Sequence, residues 1–203
     1  MDRRLLILAP LVVAALVAAV VVAFGVGGGG DSAPRLNAGA VSPPVPAPRT
    51  AGSGADGAPV DLPRDGRPML VTFLFANCPT VCPLIAQQLS AALDEVGAEA
   101  SEIDVVAVSV DPQGDTPDAV RRYLRGHDLE GRMRYIVGSE ADLRSLWSDW
   151  QVSRQPQQQA SLSLHSARIV LVDRDGEQVG RYPAGLPIPP RHIAEDIRTL
   201  ISA

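Results

Sequence analysis

The sequence predicts an α/β domain of three layers built around a mixed sheet. Apolar, β-branched runs alternate with segments whose apolar residues recur at helical spacing, and the series closes on a hairpin signal and a last amphipathic helix.

Taken in order, residues 69–75 form a continuous apolar run suited to a central strand buried on both faces. After a pair of cysteines, Ile85, Leu89, Ala92, Leu93 and Val96 recur at helical spacing. Residues 103–110 make a second β-branched run. Thr116-Pro117-Asp118 then starts a helix, with Thr116 as N-cap and Pro117 at the first helical position, ending near Arg125. Residues 133–137 read as a third strand, and Ser139 caps a helix carrying Leu143, Leu146, Trp147 and Trp150. Residues 153–163 are polar and Gln-rich, hence a loop. Residues 167–173 and 177–182 are two strands around the turn Arg174-Asp175-Gly176. Residues 190–201 close the chain as a helix that buries Ile193, Ile197, Leu200 and Ile201. No internal repeat interrupts this series. In such sheets the functional loops lie at the carboxyl ends of parallel strands, and Cys78 stands just past the first of these.

Upstream the chain changes character twice. Arg3 and Arg4 precede an uncharged apolar run over residues 5–26, long enough to cross a bilayer, which takes roughly 20 residues. The basic start keeps the N-terminus cytoplasmic and puts everything after Val26 outside, so residues 1–26 are expected to be a single-pass anchor in the cell membrane. A cleaved signal peptide is the rival reading, although its apolar region is usually only about 7–15 residues. No cysteine near the end of the run could carry a lipid, and the segment is neither Ser-rich nor amphipathic as a transit peptide would be. Residues 27–59 are Gly, Ala, Pro and Ser with hardly a large apolar side chain, and are expected to be a disordered tether. Residues 60–203 are then the extracytoplasmic folded domain. Gly27 to Gly30 is not a phosphate-binding loop, because no strand precedes it and no Gly-Lys-Ser/Thr follows.

With 203 residues the chain has room for one domain plus accessory segments. The net charge is −5 and no basic block is present, so a nucleic-acid-binding role is excluded on composition. Two cysteines are too few for a disulfide framework, and their spacing has to carry the argument.

They stand in Phe75-Ala76-Asn77-Cys78-Pro79-Thr80-Val81-Cys82-Pro83. If this is the first turn of a helix, both sulfurs share one face, and Pro79 and Pro83 are tolerated where missing N–H groups cost little. A helix N-terminus favours thiolate over thiol. Two such thiolates can clamp a soft cation such as Cu(I), and a small movement could instead close a disulfide. The plain alternative is a buried apolar pair or an inert structural disulfide. Among the histidines, His127 follows a helix and caps or solvates its end, while His192 begins the last helix and should be exposed. His165 lies between the polar loop and an apolar strand, from where a loop could carry it over the cysteines. A loop histidine is by itself more often structural than a ligand, and neither composition nor spacing raises His165 further.

The segment from Phe73 to Pro83 nevertheless resembles the signature of the SCO1/SenC family. The likeness continues in Ser109-Val110-Asp111-Pro112-Gln113-Gly114-Asp115-Thr116-Pro117 and in His165-Ser166 followed by Leu171-Val172-Asp173-Arg174-Asp175-Gly176. It covers residues 66–203 and the anchor layout. The resemblance implies a thioredoxin-like, membrane-anchored metallochaperone with Cys78, Cys82 and His165 as ligands of copper, as Cu(I) or Cu(II). It implies delivery of that copper to the Cu(A) subunit of cytochrome c oxidase, and a thioredoxin-like reductant that keeps the cysteines reduced outside the membrane. Asp111 and Asp115 are then loop and capping groups rather than an acid/base pair. Two departures stand out. Leu164 occupies the place where many members carry an Asp that could orient the histidine, and the segment before Met69 is short, which predicts a reduced or absent N-terminal hairpin.

The competing function on the same fold is a thiol–disulfide oxidoreductase. Against it, the spacing is Cys-x₃-Cys, and Leu164-His165-Ser166 fills the place of a thioredoxin's substrate-facing proline. A peroxidase motif of the Thr/Ser-x-x-Cys kind fails, since Pro79 stands three residues before Cys82 and Phe75 three before Cys78.

Overall fold

The structure, a computed structural model, describes residues 35–152, 167–183 and 185–203. Among these, eight strands form one mixed sheet. In chain order the elements are β1 (Gly39–Pro46), β2 (Thr50–Gly54), β3 (Pro59–Leu62), β4 (Met69–Leu74), α1 (Val81–Val96), β5 (Asp104–Ser109), α2 (Pro117–Gly126), β6 (Arg134–Val137), α3 (Glu140–Asp149), β7 (Arg168–Val172), β8 (Glu177–Pro183) and α4 (Pro190–Ser202). A 3₁₀ segment, Gly97–Glu102, leads from α1 towards β5.

The strand order is β1-β8-β7-β4-β5-β6-β2-β3. β4, β5 and β6 run parallel, with Met69 opposite Asp104 and Val106 opposite Arg134. β7 pairs antiparallel with β4, Thr72 facing Ile169, and β8 returns beside β7. Every residue of β4 and of β5 is buried, as the unbroken apolar runs predict for strands covered on both faces. α1 packs against α4, burying Ile85, Leu89, Ala92 and Leu93 against Ile193, Ile197 and Leu200. Each buried leucine or isoleucine here contributes about 1.5–3 kcal/mol, so this helix pair is a main source of stability.

The caps follow the local sequence. Thr116 accepts the N–H of Ala119 at 3.2 Å, with Pro117 as the first residue of α2. Ser139 and Asp142 form a reciprocal capping box at the start of α3. At β7–β8, the Asp173 carboxylate accepts the N–H groups of Asp175 and Glu177 at 3.0 and 2.8 Å, closing the expected hairpin.

Two expectations are corrected. The stretch 27–59 was predicted as a disordered tether, yet β1 and β2 lie within it and the folded unit starts at Leu36. β1 pairs antiparallel with β8, and β2 with both β6 and β3. These strands are held by backbone ladders to edges that are already built, which takes little apolar side-chain area of their own. Small residues even help: a Cβ on Gly52 would fall 2.4 Å from Ile136 Cγ2. The N-terminal hairpin, expected to be reduced or absent, is present as β2–β3, with Thr50 opposite Leu62. The anchor over residues 1–26 lies outside the described residues, among which no helix is long and apolar enough to cross a membrane.

Candidate metal centre

β4 ends at Leu74, and the chain turns through Phe75-Ala76-Asn77 into the cysteine loop. The N–H of Cys78 donates to the carbonyl of Phe75 at 3.2 Å, which tightens this turn. α1 begins only at Val81, with Thr80 as an N-cap whose side chain makes no capping bond. Cys78 therefore stands before the helix and Cys82 within its first turn. The N–H of Cys82, one of the amides a helix start leaves without an intrahelical acceptor, points at Cys78 Sγ at 3.4 Å.

Both cysteines are free thiols, and both are buried. Their acidities split. The thiol of Cys82 donates to Cys78 Sγ, and the amides of Cys82, Thr80 and Val81 add to it, pulling Cys78 down from 9.0 to about 5 against the cost of burial. The same hydrogen bond, together with burial, pushes Cys82 far up. The two thiols thus titrate as a pair, with Cys78, the sulfur nearer solvent, the more acidic and Cys82 the one that keeps its proton.

The loop Asp111–Asp115 braces this turn from the end of β5. Asp115 Oδ1 accepts the N–H of Ala76 at 2.7 Å, while Oδ2 accepts the hydroxyls of Ser109 at 2.6 Å and Tyr135 at 3.0 Å. Burial raises the Asp115 carboxyl to about 6 despite these three donors. Asp111 closes the loop on itself by accepting the N–H of Gly114 at 3.1 Å; a Cβ on Gly114 would lie 2.2 Å from Asp111 Oδ2 and push that carboxylate aside. On the helix side, Tyr123 of α2 donates its hydroxyl to the carbonyl of Cys82 at 2.7 Å. Burial, reinforced by the charge at the cysteines, holds that phenol well above its ordinary range, so it stays a donor.

A profile of the SCO1/SenC family matches residues 55–202. The chain belongs to the SCO1/SenC family. It is 25% identical over 138 residues to a SCO1 protein homologue of Bacillus subtilis, a match covering 66% of this chain and 71% of that protein. It is 32% identical over 116 residues to the mitochondrial SCO1 homologue 1 of Arabidopsis thaliana, covering 51% of this chain but only 34% of the plant protein. The structure superposes on Bradyrhizobium japonicum ScoI, solved with copper bound, with TM-score 0.63 and 25% identity, over 77% of this chain and 99% of that one. It also superposes on BsSco, in which a disulfide switch has been identified, with TM-score 0.65 and 21% identity, over 81% and 98% of the two chains. The architecture is the thioredoxin-like Sco fold.

In this SCO1/SenC chain the structure brings together two of the three expected ligands, Cys78 and Cys82. The third, His165, lies outside the described residues. Ala167, two residues further on, leads into β7, whose first residues lie beside the end of β4 that the cysteine loop follows. His127 is the C-cap of α2 as expected, its ring 4.7 Å from that of Tyr123. His192, expected to be exposed, is half-buried in the first turn of α4. Among the described residues no three His, Cys, Asp or Glu side chains converge as a metal site.

Sequence reasoning assigned Asp111 and Asp115 to loop and capping roles. Asp111 fits, whereas Asp115 is a buried carboxylate that holds the loop leading to Cys78, and capping of α2 falls to Thr116 alone. Tyr123 and Tyr135 were not singled out at all. Helical spacing marks Tyr123 as a core residue, and nothing local tells that its hydroxyl reaches a carbonyl 41 positions away.

Proposed function

We propose that this SCO1/SenC protein is a membrane-anchored copper carrier that holds its cargo through Cys78, Cys82 and His165 and passes it to the Cu(A) site of a cytochrome c oxidase subunit. The observation that carries this reading is the pair of free, buried cysteines set one helical turn apart at the start of α1, with the Cys82 N–H 3.4 Å from Cys78 Sγ and Cys78 the more acidic of the two. A soft cation replaces the thiol protons and is held by two thiolates, which suits Cu(I); an imidazole as third donor suits Cu(II) as well. The copper-bound ScoI relative supports the choice of metal. Release by ligand exchange needs no turnover, so the protein is a carrier rather than an enzyme. Outside the cytoplasm the pair drifts towards the disulfide, and a thioredoxin-like dithiol restores it by exchange.

A second reading, an extracytoplasmic thiol–disulfide oxidoreductase, is favoured by the same asymmetry: an acidic thiolate backed by a buried thiol is the arrangement for attacking and then resolving a mixed disulfide. Metal analysis of the purified full chain, reduced against oxidised, separates the two. The carrier retains about one copper when reduced and none when oxidised, with insulin reduction near background. Vigorous disulfide reductase turnover, with no copper retained by the reduced protein, makes it an oxidoreductase.

A further inference from the structure

The end of the parallel strands opposite the cysteines holds a cavity of about 550 Å³. Four arginines line it: Arg64 and Arg67 from the β3–β4 connection, Arg132 just before β6, and Arg134 as its first residue. Asp104, the first residue of β5, is the carboxylate at its centre, with a side chain only 9% exposed. Arg64 Nε lies 3.4 Å and Arg134 Nη2 3.1 Å from Asp104 Oδ2, and Arg67 Nε lies 3.3 Å from Oδ1. Three guanidinium groups thus share one carboxylate. Arg132 is balanced separately by Asp94 at 2.8 Å.

Two positive charges are left over, in a chain whose net charge is −5. Arg67 and Arg134 are half-buried, where an unbalanced charge is expensive unless a counter-ion joins it, while Arg64 stands exposed at the rim, open to an incoming anion. Part of the donor set is also unspent. Arg67 uses a terminal nitrogen on the carbonyl of Ser101, and Arg132 donates to the carbonyls of Asp128 and Ser90. Arg64 and Arg134 have no comparable backbone acceptor among the described residues, and the buried Arg134 Nη2 and Asp104 Oδ2 are close without making a hydrogen bond. Paired guanidinium forks with free N–H groups match the oxygens of a tetrahedral oxyanion two at a time.

We propose that this cavity binds a phosphate-class oxyanion, free or as the headgroup of an anionic lipid, with Arg64 and Arg134 as its direct ligands. The site is separate from the cysteines and does not depend on what they carry. It places an anion-responsive surface at the far end of the same strands.

Isothermal titration calorimetry of the full chain in detergent tests it, with inorganic phosphate and with dihexanoylphosphatidic acid, each against sodium chloride of matched ionic strength. Saturable binding of phosphate that chloride does not reproduce is expected, and a clearly tighter isotherm for the lipid identifies the headgroup as the source. Arg64→Gln should weaken binding by roughly tenfold or more, as loss of a charge-assisted contact does. Arg64→Lys, which keeps the charge and loses the fork, should fall between. The thiolate absorbance of Cys78 should be unchanged in both variants, which reports an intact fold. Heats no different from chloride for both ligands, or saturable binding that Arg64→Gln leaves intact, overturns the proposal.

Discussion

Tyr123 donates its hydroxyl to the carbonyl oxygen of Cys82 at 2.7 Å, tying the middle of α2 to the first turn of α1. Ser109, Asp115 and Tyr135 make a second tie under the loop that precedes the cysteines. Both ties are side chains from elsewhere in the fold that fix backbone near the sulfurs, and each predicts a measurable effect.

Tyr123→Phe removes one buried hydrogen bond and nothing else of the ring. Stability should fall by about 1 kcal/mol, the ordinary net value of such a bond. Urea unfolding of the reduced protein measures it, and an unchanged midpoint contradicts the tie.

Cys78 should titrate near pH 5, followed by ultraviolet thiolate absorbance. The signal rises as pH rises through that value and is absent in Cys78→Ala. In Cys82→Ala the midpoint should move up, because the largest stabilisation of the Cys78 thiolate is the hydrogen bond from Cys82. An unmoved midpoint would assign the acidity to the helix amides alone.

Asp115 has its carboxyl raised from 3.8 to about 6. A group that binds its proton more tightly when folded stabilises the fold fully below about pH 4 and loses that contribution as pH rises through about 6. The gap corresponds to about 3 kcal/mol as an order of magnitude. Relative to Asp115→Asn, the parent should therefore lose stability between about pH 4 and pH 6. Parallel stability–pH curves for the two proteins would remove Asp115 from this role.

Among the histidines, only one substitution should affect copper. His165→Ala should weaken Cu(II) most and leave partial Cu(I) retention by the two cysteines. His127→Ala and His192→Ala should bind copper as the parent does. Equilibrium dialysis of the three variants decides it, and unaltered Cu(II) binding in His165→Ala excludes that residue.

For topology, the protein should fractionate with membranes and release its folded domain when protease acts from the outer side. Recovery of a mature soluble protein beginning near Asp31 would instead establish the cleaved signal peptide.

The inner strands and the helices were legible because their signals are local. The apolar runs that became β4 and β5, Thr116 and Ser139 as caps, and the Asp-Gly turn between β7 and β8 each act within a few residues. β1 and β2 escaped because their stabilisation is borrowed from β8 and β6, far along the chain, while β2 is built of small residues and the valines and prolines of β1 stay largely exposed and show no strand alternation. The site divides the same way. Cys78 and Cys82 announce themselves by spacing, while Asp115 draws its partners from Ala76, Ser109 and Tyr135, which come together only when three parallel strands are in register.

The first described residues also fix how the domain bears a mechanical load. Asp196 of α4 accepts the N–H of Asn37 at 2.7 Å and that of Ala38 at 2.9 Å, while Tyr182 donates to the same carboxylate at 2.6 Å. Tension reaching the domain through residue 35 meets this clasp first and the β1–β8 ladder next. β7 separates that ladder from β4 and the cysteine loop, so a pull entering at residue 35 is absorbed at the edge of the sheet before it can change the spacing of the two sulfurs.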